Sequence, residues 1–249
     1  EGSVPLAFVD GDNASFTDAA AMKIVDVNAP IVANRIQVAT AAGYTFQGSS
    51  AVRAVGGLEK TGAGPLAVNL PLTVEGGISI AGGSLIVGDG VSSGSFVGDV
   101  TLGSVGSRLV LDRADDFTNT GGIGGFGEVV KRGAGTATVA GRSTYSGLTN
   151  VEAGTLRLGG TFSSVGGVTV ASAAGLTLDF ASVPETLTVP TLSLGAGGTA
   201  LGFELTSAGP PAAPLVSVTS PGGLQLAGGS HTIAVGSTQG LDPGTFTLI

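Results

Sequence analysis

The sequence has no cysteine and no tryptophan, and it contains one histidine and one methionine among 249 residues. Without cysteine, the chain cannot form a disulfide, a thiolate nucleophile or a cysteine-ligated zinc site. A single histidine also excludes metal sites that are built on histidine pairs. These absences remove several common kinds of catalytic and metal site, and we predict no catalytic residue, no metal site, no cofactor and no enzymatic activity.

Charge of either sign is also scarce. Charged residues make up 11% of the chain, and ten lysines and arginines face eighteen acidic residues, for a net charge of −8. The basic residues are spread thinly and form no face for phosphate groups, so nucleic acid is not an expected partner. No apolar run approaches the roughly 20 residues of a membrane helix, and no basic-then-apolar signal opens the chain. We expect no membrane insertion by this segment, and we expect a processed or excised piece of a longer protein.

Glycine, in contrast, is abundant. The 45 glycines lack the period of collagen, and 42% hydrophobic residues argue against a disordered chain. Between the glycines, short runs alternate Leu, Val or Ile with polar residues, which is typical of strands with one buried face. Strands are predicted over Leu66–Val68, Ile78–Ile80, Leu85–Val87, Val100–Leu102, Leu109–Leu111, Thr136–Val139, Leu156–Leu158, Val168–Val170, Leu176–Leu178, Leu187–Val189, Leu192–Leu194, Leu224–Leu226, Ile233–Val235 and Phe246–Ile249.

Two all-β architectures fit these short strands. A strand of three to five residues buries too little area to offset an ordering cost of about 1–2 kcal/mol per residue, so it must pack on similar neighbours. An antiparallel sandwich or barrel would need two-residue hairpin turns, for which Asp89-Gly90 is a candidate, but most junctions are longer glycine, alanine and serine stretches. We therefore predict one domain over residues 1–249, a single-stranded parallel β-helix, with the antiparallel fold as the alternative.

The sequence repeats itself at a displacement of 71 residues. Leu58–Val68 (LEKTGAGPLAV) aligns without a gap on Val129–Val139 (VVKRGAGTATV), and Ala81–Gly88 aligns on Glu152–Gly159. Such a period indicates stacked units of similar structure. We place the repeat units near residues 57–88 and 128–159.

The second unit carries three short motifs: Lys131–Thr136 (KRGAGT), Ser143–Gly147 (STYSG) and Val151–Leu156 (VEAGTL). They resemble the autotransporter-associated β-strand repeat of bacterial autotransporter passenger domains, where the patterns are similar to K-x-G-x-G-T, N-T-Y-x-G and V-x-A-G-T-L. Here Ser143 stands where asparagine is usual. In the first unit, Pro65 replaces the threonine and the tyrosine motif is lost. The resemblance implies structural roles for Lys131, Gly133, Gly135, Thr136, Tyr145, Gly147, Gly154 and Leu156.

This resemblance implies a right-handed parallel β-helix that is exported by type V secretion and displayed on, or released from, a Gram-negative outer membrane. It implies a C-terminal β-barrel as partner in the full-length protein, and we expect that barrel to lie outside this chain. The function it implies is a structural stalk that assists folding and export and supports adhesion or virulence. A host surface, a glycan or a second copy are the further partners considered. The alternatives are a polysaccharide lyase or glycosidase, and a self-associating aggregation module.

The densest charge cluster is Asp112, Asp115 and Asp116, next to Arg113. Three carboxylates could bind calcium or act as an acid pair on a glycosidic bond. They could equally form a turn in which Asp side chains accept hydrogen bonds from backbone N–H groups. We favour the turn, because the cluster lies within Leu109–Val129, a stretch that resembles the lead-in to the repeat in the same family.

Other candidate residues have simpler structural explanations. The glycines of Gly121–Val129 (GGIGGFGEV) have the spacing of a nucleotide-binding loop, but they open a strand and not a helix, so we expect no phosphate site. His231 is expected in a surface turn. Phe117, Phe126 and Tyr145 are expected to pack as core or coil-end aromatics, with carbohydrate stacking by Tyr145 as the alternative.

Overall fold

The computed structural model describes residues 8–159, 166–180, 186–205, 213–237 and 249. These residues form strands joined by turns, and none of them is in a helix. The first strands are β1 (Asn13–Thr17), β2 (Ile24–Asp26), β3 (Ile31–Ala33), β4 (Arg35–Ala39), β5 (Tyr44–Gln47), β6 (Val52–Ala54), β7 (Leu58–Thr61), β8 (Leu66–Asn69), β9 (Pro71–Val74), β10 (Ile78–Ile80), β11 (Ser84–Val87), β12 (Ser95–Val97), β13 (Val100–Leu102), β14 (Arg108–Asp112) and β15 (Phe117–Asn119).

The series continues with β16 (Ile123–Gly125), β17 (Glu128–Arg132), β18 (Thr136–Val139), β19 (Ser143–Tyr145), β20 (Thr149–Val151), β21 (Thr155–Leu158), β22 (Val168–Val170), β23 (Gly175–Phe180), β24 (Leu187–Val189), β25 (Leu192–Leu194), β26 (Thr199–Leu205), β27 (Val216–Val218), β28 (Leu224–Leu226) and β29 (His231–Ser237). The structure confirms each strand run predicted from the alternation except Phe246–Ile249, a run that lies outside the described residues apart from its last one.

The strands stack into long parallel sheets. Sheet A contains β1, β4, β7, β10, β13, β16 and β19, and sheet B contains β2, β5, β8, β11, β14, β17, β20, β22, β25 and β28. Sheet C contains β3, β6, β9 and β12; sheet D contains β15, β18, β21, β23, β26 and β29; and β24 pairs with β27. Because neighbours within a sheet come from successive coils and run parallel, the structure confirms the β-solenoid and excludes the antiparallel fold.

Each coil has a nearly constant length where the stack is regular. In sheet B, Leu109 pairs with Val129, Val129 with Thr149 and Thr149 with Val168, so the successive spacings are 20, 20 and 19 residues. Neighbouring strands lie about 4.8 Å apart, so each coil adds that height to the stack. Longer coils, such as the 24 residues from Leu85 to Leu109, carry their extra residues in loops at the corners.

The core is a set of aliphatic ladders inside the coils. Leu66, Leu85, Leu109 and Val129 occupy successive inward positions of sheet B, and all are buried. Burial of each such side chain contributes about 1.5–3 kcal/mol. This offsets the entropy cost of ordering a short coil only when the coils above and below cover its inward side chains. The stack, and not the single coil, is therefore the stable unit.

The two repeat units lie on different faces of the solenoid. The first begins at β7 in sheet A, whereas the second begins at β17 in sheet B, ten strands later. Three strands make a coil in this region, so ten strands amount to three coils and one further strand. The 71-residue displacement is therefore not a whole number of coils. The repeat is a local strand-and-corner module that can be placed on either sheet.

Among the described residues, we find no helix with the length and hydropathy needed to cross a bilayer.

Candidate functional site at the repeat corner

Lys131 lies inside the solenoid. It occupies an inward position of β17 between Leu111 of the preceding coil and Val151 of the next, and its side chain is 1% exposed. The alternation in β17 accounts for this position, because Val129 and Lys131 are two residues apart and share one face of the strand. A lysine thus replaces an aliphatic residue in the core ladder.

The ammonium group of Lys131 binds three backbone carbonyls at the end of β17. It donates to the oxygen of Arg132, to the oxygen of Gly133 at 2.7 Å and to the oxygen of Ala153 in the next coil at 3.3 Å. An ammonium has three N–H donors, so all three are used. We call Lys131 and the turn Arg132–Gly135 the repeat corner. The lysine donates hydrogen bonds to backbone carbonyls that would otherwise be buried at this turn without a donor.

The glycines of the motif let the repeat corner sit directly on the coil before it. Gly133 has a positive φ of 69°, and a Cβ at Gly133 or Gly135 would collide with the backbone carbonyls of Arg113 and Asp115 respectively. Gly154 of the next coil has a φ of 64°, and a Cβ there would come within 2.5 Å of the Gly133 carbonyl oxygen. Three successive corners therefore stack backbone on backbone.

The acidic cluster lies in the turn of the preceding coil on which the repeat corner packs. Asp116 accepts the backbone N–H of Thr136 at 2.6 Å, and the carbonyl of Arg113 accepts the N–H of Gly135 at 3.1 Å. Asp115 is paired with the guanidinium of Arg113 through two hydrogen bonds of 2.8 Å. The carboxylate of Asp116 thus holds the residue that follows the repeat corner, and the carboxylate of Asp115 is engaged within its own turn.

Asp112 ends β14, and its backbone carbonyl accepts the N–H of Gly90 at 3.0 Å. Its carboxylate and that of Asp116 lie near enough to Lys131 to favour the charged ammonium, but burial is the larger effect and lowers the pKa of Lys131 to about 8. Within the described ranges, no group of three or more His, Asp or Glu side chains could hold a metal ion.

Tyr145 and Thr149 form the next polar contact inside the core. The Tyr145 ring is 0% exposed, and its hydroxyl lies 2.6 Å from the hydroxyl of Thr149. Burial raises the pKa of the Tyr145 phenol to about 12, and the hydrogen bond to Thr149 acts in the opposite direction. No ligand can reach this ring. Nearby, Gly147 packs on the Gly127 carbonyl and Leu156 is buried in the core.

Phe126 was expected to pack in the core or at the end of a coil, and it does not pack in the core. Its side chain is 61% exposed at the turn after β16, because the positive φ of Gly125 turns the chain out of the sheet there. Phe117 is half-buried, and its ring lies 5.7 Å below the guanidinium of Arg113.

The first repeat unit reproduces the lysine geometry. Lys60 is 0% exposed and donates to the carbonyl oxygens of Thr61 at 2.7 Å, Gly62 at 2.9 Å and Gly82 at 3.2 Å. Burial lowers the pKa of Lys60 as well. The loss of threonine at Pro65 has not changed the lysine corner, so the threonine is not needed for this geometry, and both units share Lys-x-Gly-Ala-Gly.

Arginine–carboxylate pairs join successive coils on the outer surface, and sequence reasoning missed them. The pairs are Arg35–Glu59, Arg53–Glu75, Arg108–Glu128, Arg132–Glu152 and Arg157–Asp179, each with the arginine in the earlier coil. The signal in the sequence was an Arg followed by an acidic residue 20 to 24 positions later. Such exposed pairs contribute about 0–1 kcal/mol each, so they favour the register more than the overall stability.

His231 begins β29 and is half-buried. Its Nδ1 lies 2.5 Å from the Thr199 hydroxyl and its Nε2 lies 2.9 Å from the Ala227 carbonyl oxygen. The ring therefore links strand β26 to the following coil, and His231 lies in a strand and not in the surface turn expected from the sequence.

Comparison with known proteins gives two likenesses. A family model described as the passenger-associated transport repeat matches residues 129–158, which contain the repeat corner. A curated relative, the adhesin BmaC autotransporter of Brucella suis biovar 1 (strain 1330), is 33% identical over 139 residues. That alignment covers 55% of this chain and 3% of the relative, so the chain spans a small fraction of the relative's length.

No solved structure matches the chain. The repeat match and the adhesin relative both fall in the same class of protein, and the stacked coils are the fold that this class implies. These findings confirm the resemblance predicted from the sequence: the chain is similar to the repeat-bearing passenger domains of bacterial autotransporters.

Proposed function

We propose that this chain is a structural stalk segment of a passenger that is displayed on, or released from, a Gram-negative cell surface. In the full-length protein its partner is a C-terminal β-barrel. The segment assists folding and export of the passenger, and it supports adhesion or virulence as part of a rigid rod. The repeat match and the adhesin relative support the passenger role, and the geometry of the repeat corner supports the role in folding.

The observation that carries the proposal is the bond from Lys131 to the next coil. Its ammonium reaches the Ala153 carbonyl only when the following coil has docked in register. Each coil is thus completed by its neighbour, so the solenoid can form one coil at a time as the chain emerges from the membrane. Stepwise docking also opposes backsliding into the export pore, because each docked coil must unfold before it can return.

We propose that the segment is not an enzyme. Three carboxylates were considered for glycan cleavage. Asp115 is paired with the Arg113 guanidinium, Asp116 accepts the N–H of Thr136, and Asp112 lies near the Lys131 ammonium. An acid–base pair would need two carboxylates that face one substrate bond. No described feature favours the lyase or glycosidase alternative over the structural role.

The structure allows a precise test of the export role. Val129 and Thr149 are in register, so excision of residues 129–148 from the full-length protein removes one coil with its lysine corner and rejoins the sheets. The matched control excises residues 36–57, one coil without a buried lysine, because Ile36 and Leu58 are also in register. We expect the first excision to lower the surface yield several-fold more than the control. Equal yields would contradict a special role of the repeat corner in export.

A further inference from the structure

The outer face of sheet A carries a groove that the stalk role does not use. The groove crosses β13, β16 and β19 and has a volume of about 340 Å³. Its walls and floor come from three successive coils. Thr101, Gly124 and Thr144 are in register across these strands. The residues directly before them, Val100, Ile123 and Ser143, are buried.

A second row of the groove lies at the starts of the same strands. Val100 donates its N–H to the Gly122 carbonyl at 2.9 Å, and Ile123 donates to the Arg142 carbonyl at 3.0 Å, so Asp99, Gly122 and Arg142 follow one another across the coils. The groove thus has an Asp–Thr wall, a two-glycine floor and an Arg–Thr wall. The two walls are two coil spacings apart, about 10 Å from backbone to backbone.

Gly124 leaves the groove open, although the backbone at this position does not require a glycine. Its φ is not positive, and a Cβ at this position would meet a single neighbour, the Thr144 hydroxyl at 3.3 Å. The backbone would therefore accept a side chain at Gly124, unlike at Gly122, where a Cβ would collide with the Arg142 carbonyl. A side chain at residue 124 would fill the groove.

Arg142 is the arginine that coil stacking leaves free. Among the described residues, which include every arginine of the chain, the other six arginines form ion pairs and Arg142 forms none. Its side chain is exposed at the edge of the groove. A guanidinium binds a carboxylate through two parallel hydrogen bonds, which makes an anionic group its best ligand.

The remaining groups of the groove suit hydroxyls. Thr101 and Thr144 each offer a hydroxyl that both donates and accepts. Asp99 uses one carboxylate oxygen to accept the N–H of Gly122 at 2.7 Å, and its second oxygen can accept from a ligand hydroxyl.

We propose that this groove binds a carboxylate-bearing sugar residue of an acidic glycan, with the sugar carboxylate on Arg142 and its hydroxyls on Asp99, Thr101 and Thr144. This proposal rests on the adhesive role proposed above, and it names the binding site and the class of ligand for that role. The stalk role in export does not depend on it.

Calorimetric titration of the purified chain tests the site. The probes are trigalacturonic acid and sialyllactose, their neutral counterparts galactotriose and lactose, and a tetraglutamate peptide. We expect saturable binding of at least one carboxylated sugar and none of its neutral counterpart. Failure of both carboxylated sugars to bind would overturn the proposal, and equal binding of tetraglutamate would assign the groove to acidic peptides instead.

Two variants with matched controls locate the binding. Arg142→Gln is expected to weaken it at least about tenfold, whereas Arg35→Gln, on the same sheet but already paired with Glu59, leaves it unchanged. Gly124→Val is expected to abolish binding by filling the groove, whereas Ser79→Val, in the same outward row, leaves it unchanged. Unchanged binding in Arg142→Gln or Gly124→Val would contradict the site.

The same variants separate this proposal from the export role. Arg142→Gln in the full-length protein is expected to export normally, because its side chain takes no part in coil stacking. Normal export of a wild-type protein that binds neither carboxylated sugar would overturn the proposed sugar site alone. Normal export of the excision of residues 129–148 would overturn the role of the repeat corner alone.

Discussion

The ammonium of Lys131 donates to the carbonyl oxygen of Ala153, 22 residues later, and Lys60 makes the same bond to Gly82 at the same separation. In both places a buried positive charge spans two coils. A buried charge is costly unless its hydrogen bonds are complete, and here the carbonyls of one corner and the next complete them. The lysine therefore ties the register of a coil to the formation of the coil after it.

Lys131→Met should destabilise the solenoid by about 1–3 kcal/mol, because the methionine keeps the volume but leaves three carbonyl oxygens without their donor. Lys60→Met should have an effect of similar size at its own corner. Urea unfolding followed by circular dichroism measures both. Lys23→Met is the control, since the Lys23 ammonium makes one hydrogen bond, to Thr17, at the exposed end of the stack. Equal losses in all three variants would contradict the proposed role of the corner.

The contribution of Lys131 to the stability of the protein should rise between about pH 8 and pH 10. Burial lowers the pKa of Lys131 to about 8, below the value of about 10.4 in an unfolded chain. In this interval the unfolded chain holds more protons on Lys131 than the folded one, so the free energy of unfolding increases with pH. The difference between wild type and Lys131→Met isolates this residue. A difference that stays constant from pH 7 to 10 would show that Lys131 titrates normally.

Gly135→Ala should destabilise the stack by about 3 kcal/mol or more, because the new Cβ would collide with the backbone of Asp115 and the backbone cannot move aside. The φ of Gly135 is not positive, so the effect is steric. Thermal unfolding measures it. Gly106→Ala is the matched control, since a Cβ at Gly106 meets nothing within 4 Å. Equal unfolding temperatures of the two variants would contradict backbone-on-backbone stacking.

Ser143→Ala should be neutral or slightly stabilising. The Ser143 hydroxyl is buried and has no hydrogen-bond partner, so its removal relieves a desolvation cost. Ser107→Ala should instead cost about 1 kcal/mol, because the equally buried Ser107 hydroxyl donates to the Ser104 carbonyl at 2.6 Å. Chemical denaturation of both variants checks the contrast. A larger loss in Ser143→Ala would mean that this hydroxyl has a partner in solution.

Asp116→Asn should lower the stability of the protein, and neither the wild type nor this variant should cleave a glycan. The carboxylate accepts the Thr136 N–H at 2.6 Å, and an amide oxygen is a weaker acceptor than a charged carboxylate. A screen of acidic and neutral glycans with wild type, Asp115→Asn and Asp116→Asn measures activity directly. Cleavage by the wild type that both folded variants lose would establish the enzyme alternative.

The strands and their stacking followed from local patterns. The alternation of aliphatic and polar residues in runs such as Leu109–Leu111 identifies strands too short to be stable alone, and glycine-rich junctions without hairpin turns indicate parallel coils. The motif around Lys131 identified the repeat and its class of protein. The inward position of Lys131 could also have been predicted, since it alternates with Val129.

The roles of the surface residues depended on contacts between coils. Asp116 and Thr136 are 20 residues apart, and their hydrogen bond forms only when two coils dock in register. The free Arg142 and the open space beside Gly124 were equally hidden, because whether an arginine is paired depends on the coil above or below it. Residue pattern alone therefore determined the strands, the stacked coils and the repeat. The tertiary structure alone decided which charges are used in stacking and which remain for a ligand, because each coil completes the contacts of its neighbour.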